Sequence, residues 1–127
     1  RFGNNLGCQA IEDEYNGKPV WVIENQHIRA YVQRVGSATD QKNITTSDIL
    51  LAVYQKDTDV MLTDFFEVMI DDDPTTTQGM GWTEIEKTGY DLPYVKIRAH
   101  IHNDISYWFD IILESGADFI IIDGGLE

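Results

Sequence analysis

Apolar and polar residues alternate with period two through much of the first and last thirds of the chain, the pattern of half-buried β-strands. The runs Ala10 to Tyr15 and Lys18 to Glu24 flank Asn16-Gly17. Asn-Gly readily takes the two positive φ angles of a type I′ turn, so this stretch predicts a β-hairpin. Ile28, Ala30 and Val32 then alternate with His27, Arg29, Tyr31 and Gln33, predicting a third strand that ends at Gly36. An amphipathic helix from Asn25 to Val35 also fits these residues.

The middle of the chain reads differently. Residues 36–45 are polar and predict a loop, and Thr45 followed three residues later by Asp48 resembles a capping box opening a helix over 46–56. Asp57-Thr58-Asp59 breaks it. From Thr58 to Ile70 the polar Asp59, Thr63 and Glu67 recur at every fourth position, while Met61, Leu62, Phe65, Phe66 and Met69 form a wide apolar stripe. That spacing predicts a helix, so the helical segment as a whole covers about 46–70. Asp71-Asp72-Asp73-Pro74 stops it, and residues 75–81 read as a mobile surface loop. Three aspartates at a helix C-terminus oppose the macrodipole, at a cost on the order of 0.3–1 kcal/mol unless a cation compensates. They are therefore candidate contacts.

The last 45 residues return to period two. Val95, Ile97, Ala99 and Ile101 form one apolar face, and Tyr107, Phe109, Ile111 and Leu113 the next. For those faces to coincide, a three-residue loop Asn103 to Ile105 must set Ala99 opposite Phe109, Ile97 opposite Ile111 and Arg98 beside Asp110. A second turn at Ser115-Gly116 would pair Ile111 with Ile120 and Phe109 with Ile122. With Trp82 to Thr88 ahead of them, these strands predict a four-stranded meander. Its opposite face still carries Trp108, Ile112, Phe119 and Ile121, so the sheet is apolar on both sides and needs a second layer or a partner.

The expected fold is therefore α+β and antiparallel β-rich: an N-terminal hairpin or three-stranded sheet, a helical segment at about 46–70 and a C-terminal meander. The alternative is an all-β sandwich in which 49–70 form a hairpin. A length of 127 residues suits a single domain over 1–127, and the chain is 43% hydrophobic and 24% charged, which argues against wholesale disorder. Its apolar runs are too short to span a membrane. The N-terminus, Arg1-Phe2-Gly3-Asn4, carries neither an initiator Met nor a signal-peptide layout, as a processed or trimmed chain would. Cys8 is the only cysteine, which excludes an intrachain disulfide and tilts an otherwise open question of compartment toward the cytoplasm.

Charge narrows the partners. The net charge of −13 lies wholly in residues 57–127, where sixteen acids face Lys87, Lys96 and Arg98. Such a field repels nucleic acid and attracts a basic protein surface. His100-x-His102 on a strand is a metal-ligand spacing, with Asp104 and Asp110 as nearby carboxylates, although Lys96 and Arg98 share the face and oppose a cation. Asp57-x-Asp59 and Asp71 to Asp73 offer oxygen ligands but lack the EF-hand glycine and distal glutamate. No phosphate loop, dinucleotide fingerprint, nucleophile elbow or zinc-protease helix is present.

Two short runs invite comparison with families. Leu92 to Ile97 with Glu114 to Gly125 resembles two strands of a flavin-binding (β/α)₈ barrel, but a whole barrel needs about 200 residues or more. Asp91-Leu92-Pro93-Tyr94-Val95-Lys96 resembles a run of C2 domains, interrupted here by an extra Leu. Neither carries a family assignment. The leading expectation is a non-catalytic protein-interaction domain with no cofactor: an acidic inhibitor or immunity-type protein on a basic partner, or an assembly subunit, such as a phage-particle component, that meets copies of itself. Asp71, Asp72, Asp73, Trp108, Phe119 and Ile121 would be its contacts. The alternatives are a metal-binding module or metal-assisted enzyme built on His100 and His102, and a secreted Ca²⁺- or carbohydrate-binding β-domain using the 71–81 loop.

Overall fold

A computed structural model describes residues 7–58, 60–62 and 78–126. They form eleven strands: β1 (Cys8–Tyr15), β2 (Lys18–Glu24), β3 (Ile28–Gln33), β4 (Lys42–Thr45), β5 (Leu50–Gln55), β6 (Val60–Leu62), β7 (Gln78–Ile85), β8 (Gly89–Leu92), β9 (Tyr94–His102), β10 (Ser106–Glu114) and β11 (Ile121–Leu126). All pairings are antiparallel. One sheet has the order β6-β5-β3-β2-β1-β8 and the other β11-β10-β9-β7-β4. The chain thus changes sheets at β4, β5, β7, β8 and β9.

This overturns the α+β expectation and matches the all-β alternative. Among the described residues the helical content is a single 3₁₀ turn, Thr46–Asp48, and Thr45 bonds the Asp48 side chain without capping a backbone N–H. Residues 50–55 and 60–62 are strands. The helical reading of 49–56 has an identifiable cause. A register shift against β3 places both Leu50 and Ala52 opposite consecutive residues of that strand, with Leu51 as the extra residue. Ile49, Leu50, Ala52 and Val53 are all buried, so period two is lost and a helix-like spacing appears in its place. The rest of the expected helix, 59 and 63–70, lies outside the described residues.

The hairpin forms as expected, with Asn16 at φ 52° and Gly17 at φ 81°. The β9–β10 register also agrees: Ala99 faces Phe109, Ile97 faces Ile111 and Arg98 faces Asp110. The β10–β11 turn is longer than expected. Ile111 pairs with Ile122 and Phe109 with Gly124, a slip of two residues, which keeps the same side chains on the core face. Two expected loops are partly strand: β4 pairs with β7, so Lys42–Thr45 and Gln78–Gly81 hold each other. The expected strand 82–88 ends at Ile85, and β8 crosses to the edge of the other sheet, beside β1.

The two inner faces share one core. Trp21, Ile23, Ala30 and Val32 from the six-stranded sheet pack with Val95, Ile97, Phe109, Ile111 and Leu113 from the five-stranded one. Full burial of each large aliphatic or aromatic side chain contributes about 1.5–3 kcal/mol. The apolar inner face of the meander is therefore covered by the N-terminal sheet rather than by helices.

Two buried polar side chains tie the sheets at their ends. Asn25, in the β2–β3 turn, has no exposed surface. Its Nδ2 donates to the carbonyls of Glu114 and Ala117, both at 2.7 Å, and its Oδ1 accepts from the backbone N–H of His27 and Ile28, both at 2.8 Å. Every hydrogen-bonding position of the amide is filled. Thr83 on β7 donates from Oγ1 to Gln33 O at 2.9 Å and accepts from Val35 N–H at 3.0 Å.

Asn25→Asp is expected to cost about 3–5 kcal/mol in urea unfolding at pH 7, more than Asn25→Ala, because a buried carboxylate would face two carbonyl oxygens. Equal losses for the two variants would show that the donors to Glu114 and Ala117 are not what Asn25 contributes.

Candidate functional site

The strands β7, β9, β10 and β11 turn alternate side chains away from the core, and their registers align those side chains in rows across the outer face of the five-stranded sheet. Arg98 lies opposite Glu84 on one side and Asp110 on the other, and Asp110 lies opposite Asp123. The next row is Trp82, His100, Trp108 and Gly125. A row of charges therefore runs beside a row of rings.

Both rows are tied together by side-chain contacts. Trp82 stacks on His100 with centroids 4.0 Å apart and planes 12° from parallel, and reaches His102 at 5.7 Å. Glu84 holds His100 Nε2 at 2.5 Å. The Arg98 guanidinium lies 4.0 Å over the Trp108 ring and grips Asp110 through Nε at 2.7 Å and Nη2 at 2.9 Å. Such cross-strand pairs are worth roughly 0.2–1 kcal/mol each, so they stabilise the sheet as well as shape its surface.

Asp110 is the buried charge of this face, its side chain 3% exposed, with Lys96 as a second cation at 3.6 Å. Burial pushes its pKa up, but the Arg98 hydrogen bonds and the charges of Arg98 and Lys96 outweigh that and hold the carboxyl below its ordinary value. The same hydrogen bonds, working against burial of the guanidinium, raise Arg98. Beside this pair, Glu84, Ile85, Glu86, Lys96 and Arg98 line an open groove of about 250 Å³. Tyr94 donates its hydroxyl to Glu86.

The expected site residues separate. Trp108 and Ile121 lie on this face, both half-buried. Phe119 does not: it sits in the β10–β11 connection, 57% exposed, and with Ile120, Ile28 and Val53 lines a second opening of about 170 Å³ between the sheets. Asp71, Asp72 and Asp73 lie outside the described residues. Of the metal candidates, His102 Nδ1 meets the Ser106 hydroxyl at 2.9 Å, His100 meets Glu84, Asp110 is engaged by Arg98, and Asp104 is exposed in the turn. Among the described residues no three His, Cys, Asp or Glu side chains come together as a metal set. Sequence reasoning did not single out Trp82 and Glu84. Their signal was the spacing Trp82-x-Glu84 on a strand, legible only once β7 is known to pair with β9.

Two outcomes follow. Asp110→Asn is expected to lower stability at pH 7 by about 1–3 kcal/mol. The depressed pKa means that the Asp110 contribution is complete above the unfolded value of about 3.9 and fades as pH falls through the folded one. Acid unfolding of the variant should therefore be shallower below about pH 4, and an unchanged pH profile would contradict the assignment. Cys8, wholly buried and donating to Leu113 O at 3.3 Å, has its thiol raised to about 11 by burial first and Glu114 second. Alkylation in native buffer should track unfolding; rapid labelling of folded protein would refute this. Comparison of the chain with protein-family models, curated proteins and solved structures finds no match.

Proposed function

We propose that the chain is a non-catalytic recognition domain that docks its ligand on the outer face of the five-stranded sheet. The observation carrying this reading is the adjacency of a ring row (Trp82, His100, Trp108) and a charge row (Glu84, Arg98, Asp110) on neighbouring strands. Half-buried aromatic and arginine side chains are the groups that contribute most at binding surfaces. Here they are already fixed by stacking and by a two-point ion pair, so little rotamer entropy remains to be lost on binding.

A second reading, an acidic domain docked on a basic protein, is favoured by the net charge of −13. Its binding would weaken steeply with salt.

The three tryptophans give a direct test. Trp21 is buried in the core at 5% exposure, whereas Trp82 and Trp108 lie on the proposed face. In a ¹⁵N–¹H spectrum the indole signals of Trp82 and Trp108 should shift on ligand binding while that of Trp21 stays in place. A ligand that binds with neither outer indole responding would overturn the assignment.

A further inference from the structure

The groove beside the charge row narrows the ligand class, and the inference rests on the outer-face reading above. Its walls are oppositely equipped: Glu84 and Glu86 on one, Lys96 and Arg98 on the other. Each group keeps hydrogen-bonding capacity after its partners within the protein are counted. Glu84 gives Oε2 to His100 and Glu86 gives Oε1 to the Tyr94 hydroxyl, so each carboxylate retains a second oxygen as an acceptor. Arg98 uses Nε and Nη2 on Asp110, which leaves the Nη1 protons. Lys96 turns one proton toward Asp110 at 3.6 Å, which leaves two to donate among its contacts with the described residues.

The four charged lining side chains are two negative and two positive, and Asp110 beside them is shared by both cations. A simple anion would meet Glu84 and Glu86, and a simple cation would meet Lys96 and Arg98. A neutral polyol meets neither penalty, because each hydroxyl both donates and accepts. Adjacent hydroxyls can bridge a carboxylate on one wall and an ammonium or guanidinium on the other. Tyr94, 41% exposed and bonded to the lining residue Glu86, offers a neighbouring aromatic ring for an apolar C–H face. A volume of about 250 Å³ lies just below the usual range for drug-sized ligands, on the scale of one or two rings. We propose that this groove is a saccharide subsite, taking a neutral sugar unit between Glu84 and Glu86 on one wall and Lys96 and Arg98 on the other.

The test is titration of the ¹⁵N-labelled chain with neutral methyl glycosides and short neutral oligosaccharides, with glutamate as a zwitterionic probe and inorganic phosphate as an anionic one. Saturable shifts at the backbone of Glu84, Glu86, Lys96 and Arg98 are expected with a sugar and not with phosphate. Lys96→Ala and Glu86→Gln should each weaken sugar binding by about fivefold or more, as loss of one hydrogen bond implies. Urea unfolding of both variants verifies that the fold is retained. Absence of saturable sugar binding, or binding unchanged in both variants, would overturn the saccharide assignment. Glutamate or phosphate binding in place of sugar would overturn it too, while leaving the outer-face reading standing if the Trp82 and Trp108 indoles respond. A ligand captured elsewhere on the chain would overturn both.

Discussion

The Asn25 amide is the interaction on which the sandwich geometry most depends. Two sheets packed through apolar side chains alone have a weakly determined relative position, because dispersion and hydrophobic burial are non-directional. Asn25 adds direction. Two of its four hydrogen bonds join the β2–β3 turn to Glu114 and Ala117 at and just beyond the end of β10, across a sequence separation of about ninety residues, and the other two fix the turn itself. Because Asn25 is wholly buried, each lost partner leaves a buried polar group unsatisfied, which is what makes the amide demanding about geometry. Thr83 does the same at β7, holding the chain beyond β3 against the five-stranded sheet. Once these points are fixed, the faces of β9 and β10 that meet the core are fixed, and so is the opposite face that carries the candidate site.

Much of this was legible wherever one face of a strand is buried and the other is wet. The hairpin at Asn16-Gly17 and the pairing of Ala99 with Phe109 follow from alternation and turn length alone, because a slip of one residue would send Ile97 and Ile111 to solvent. The two-residue slip of β11 escaped notice for the same reason: it exchanges Ile120 for Ile122 and preserves alternation. The error at 49–56 came from β5 being buried on both faces, with Ala52 fully covered opposite Tyr31 and a register shift beside it. A buried strand with an extra residue and a helix present similar apolar spacings over so few residues. Only the pairing partner separates them.

The candidate site was legible by half. Arg98 beside Asp110 was deduced from register, but the stacking of Trp82 on His100 depends on β7 lying next to β9 and not beside β8, its immediate sequel in the chain. Period two placed His100 and His102 on one face. It did not reveal that Glu84, diagonal to His100, and Ser106, opposite His102, engage the two imidazoles in hydrogen bonds. Phe119 was misplaced with β11 because the connection after Ser115-Gly116 is longer than a tight turn.

The buried charge at Asp110 links stability to the proposed recognition. Replacing a buried ion pair with apolar side chains of similar volume is often neutral or stabilising, so the pair is weak evidence for stability alone. What it does supply is orientation. Two hydrogen bonds to one carboxylate fix the guanidinium plane, and that plane in turn lies over Trp108. A methionine at position 98 could cover the same indole but would present no donors to the groove. Lys96 is drawn to the same carboxylate, so a single buried acid positions both cations of one wall, while His100 and Tyr94 each hold a carboxylate of the other. The ends of the four groove side chains are thus set by partners outside the groove, which is the condition under which polar groups bind a neutral ligand without first losing their own freedom.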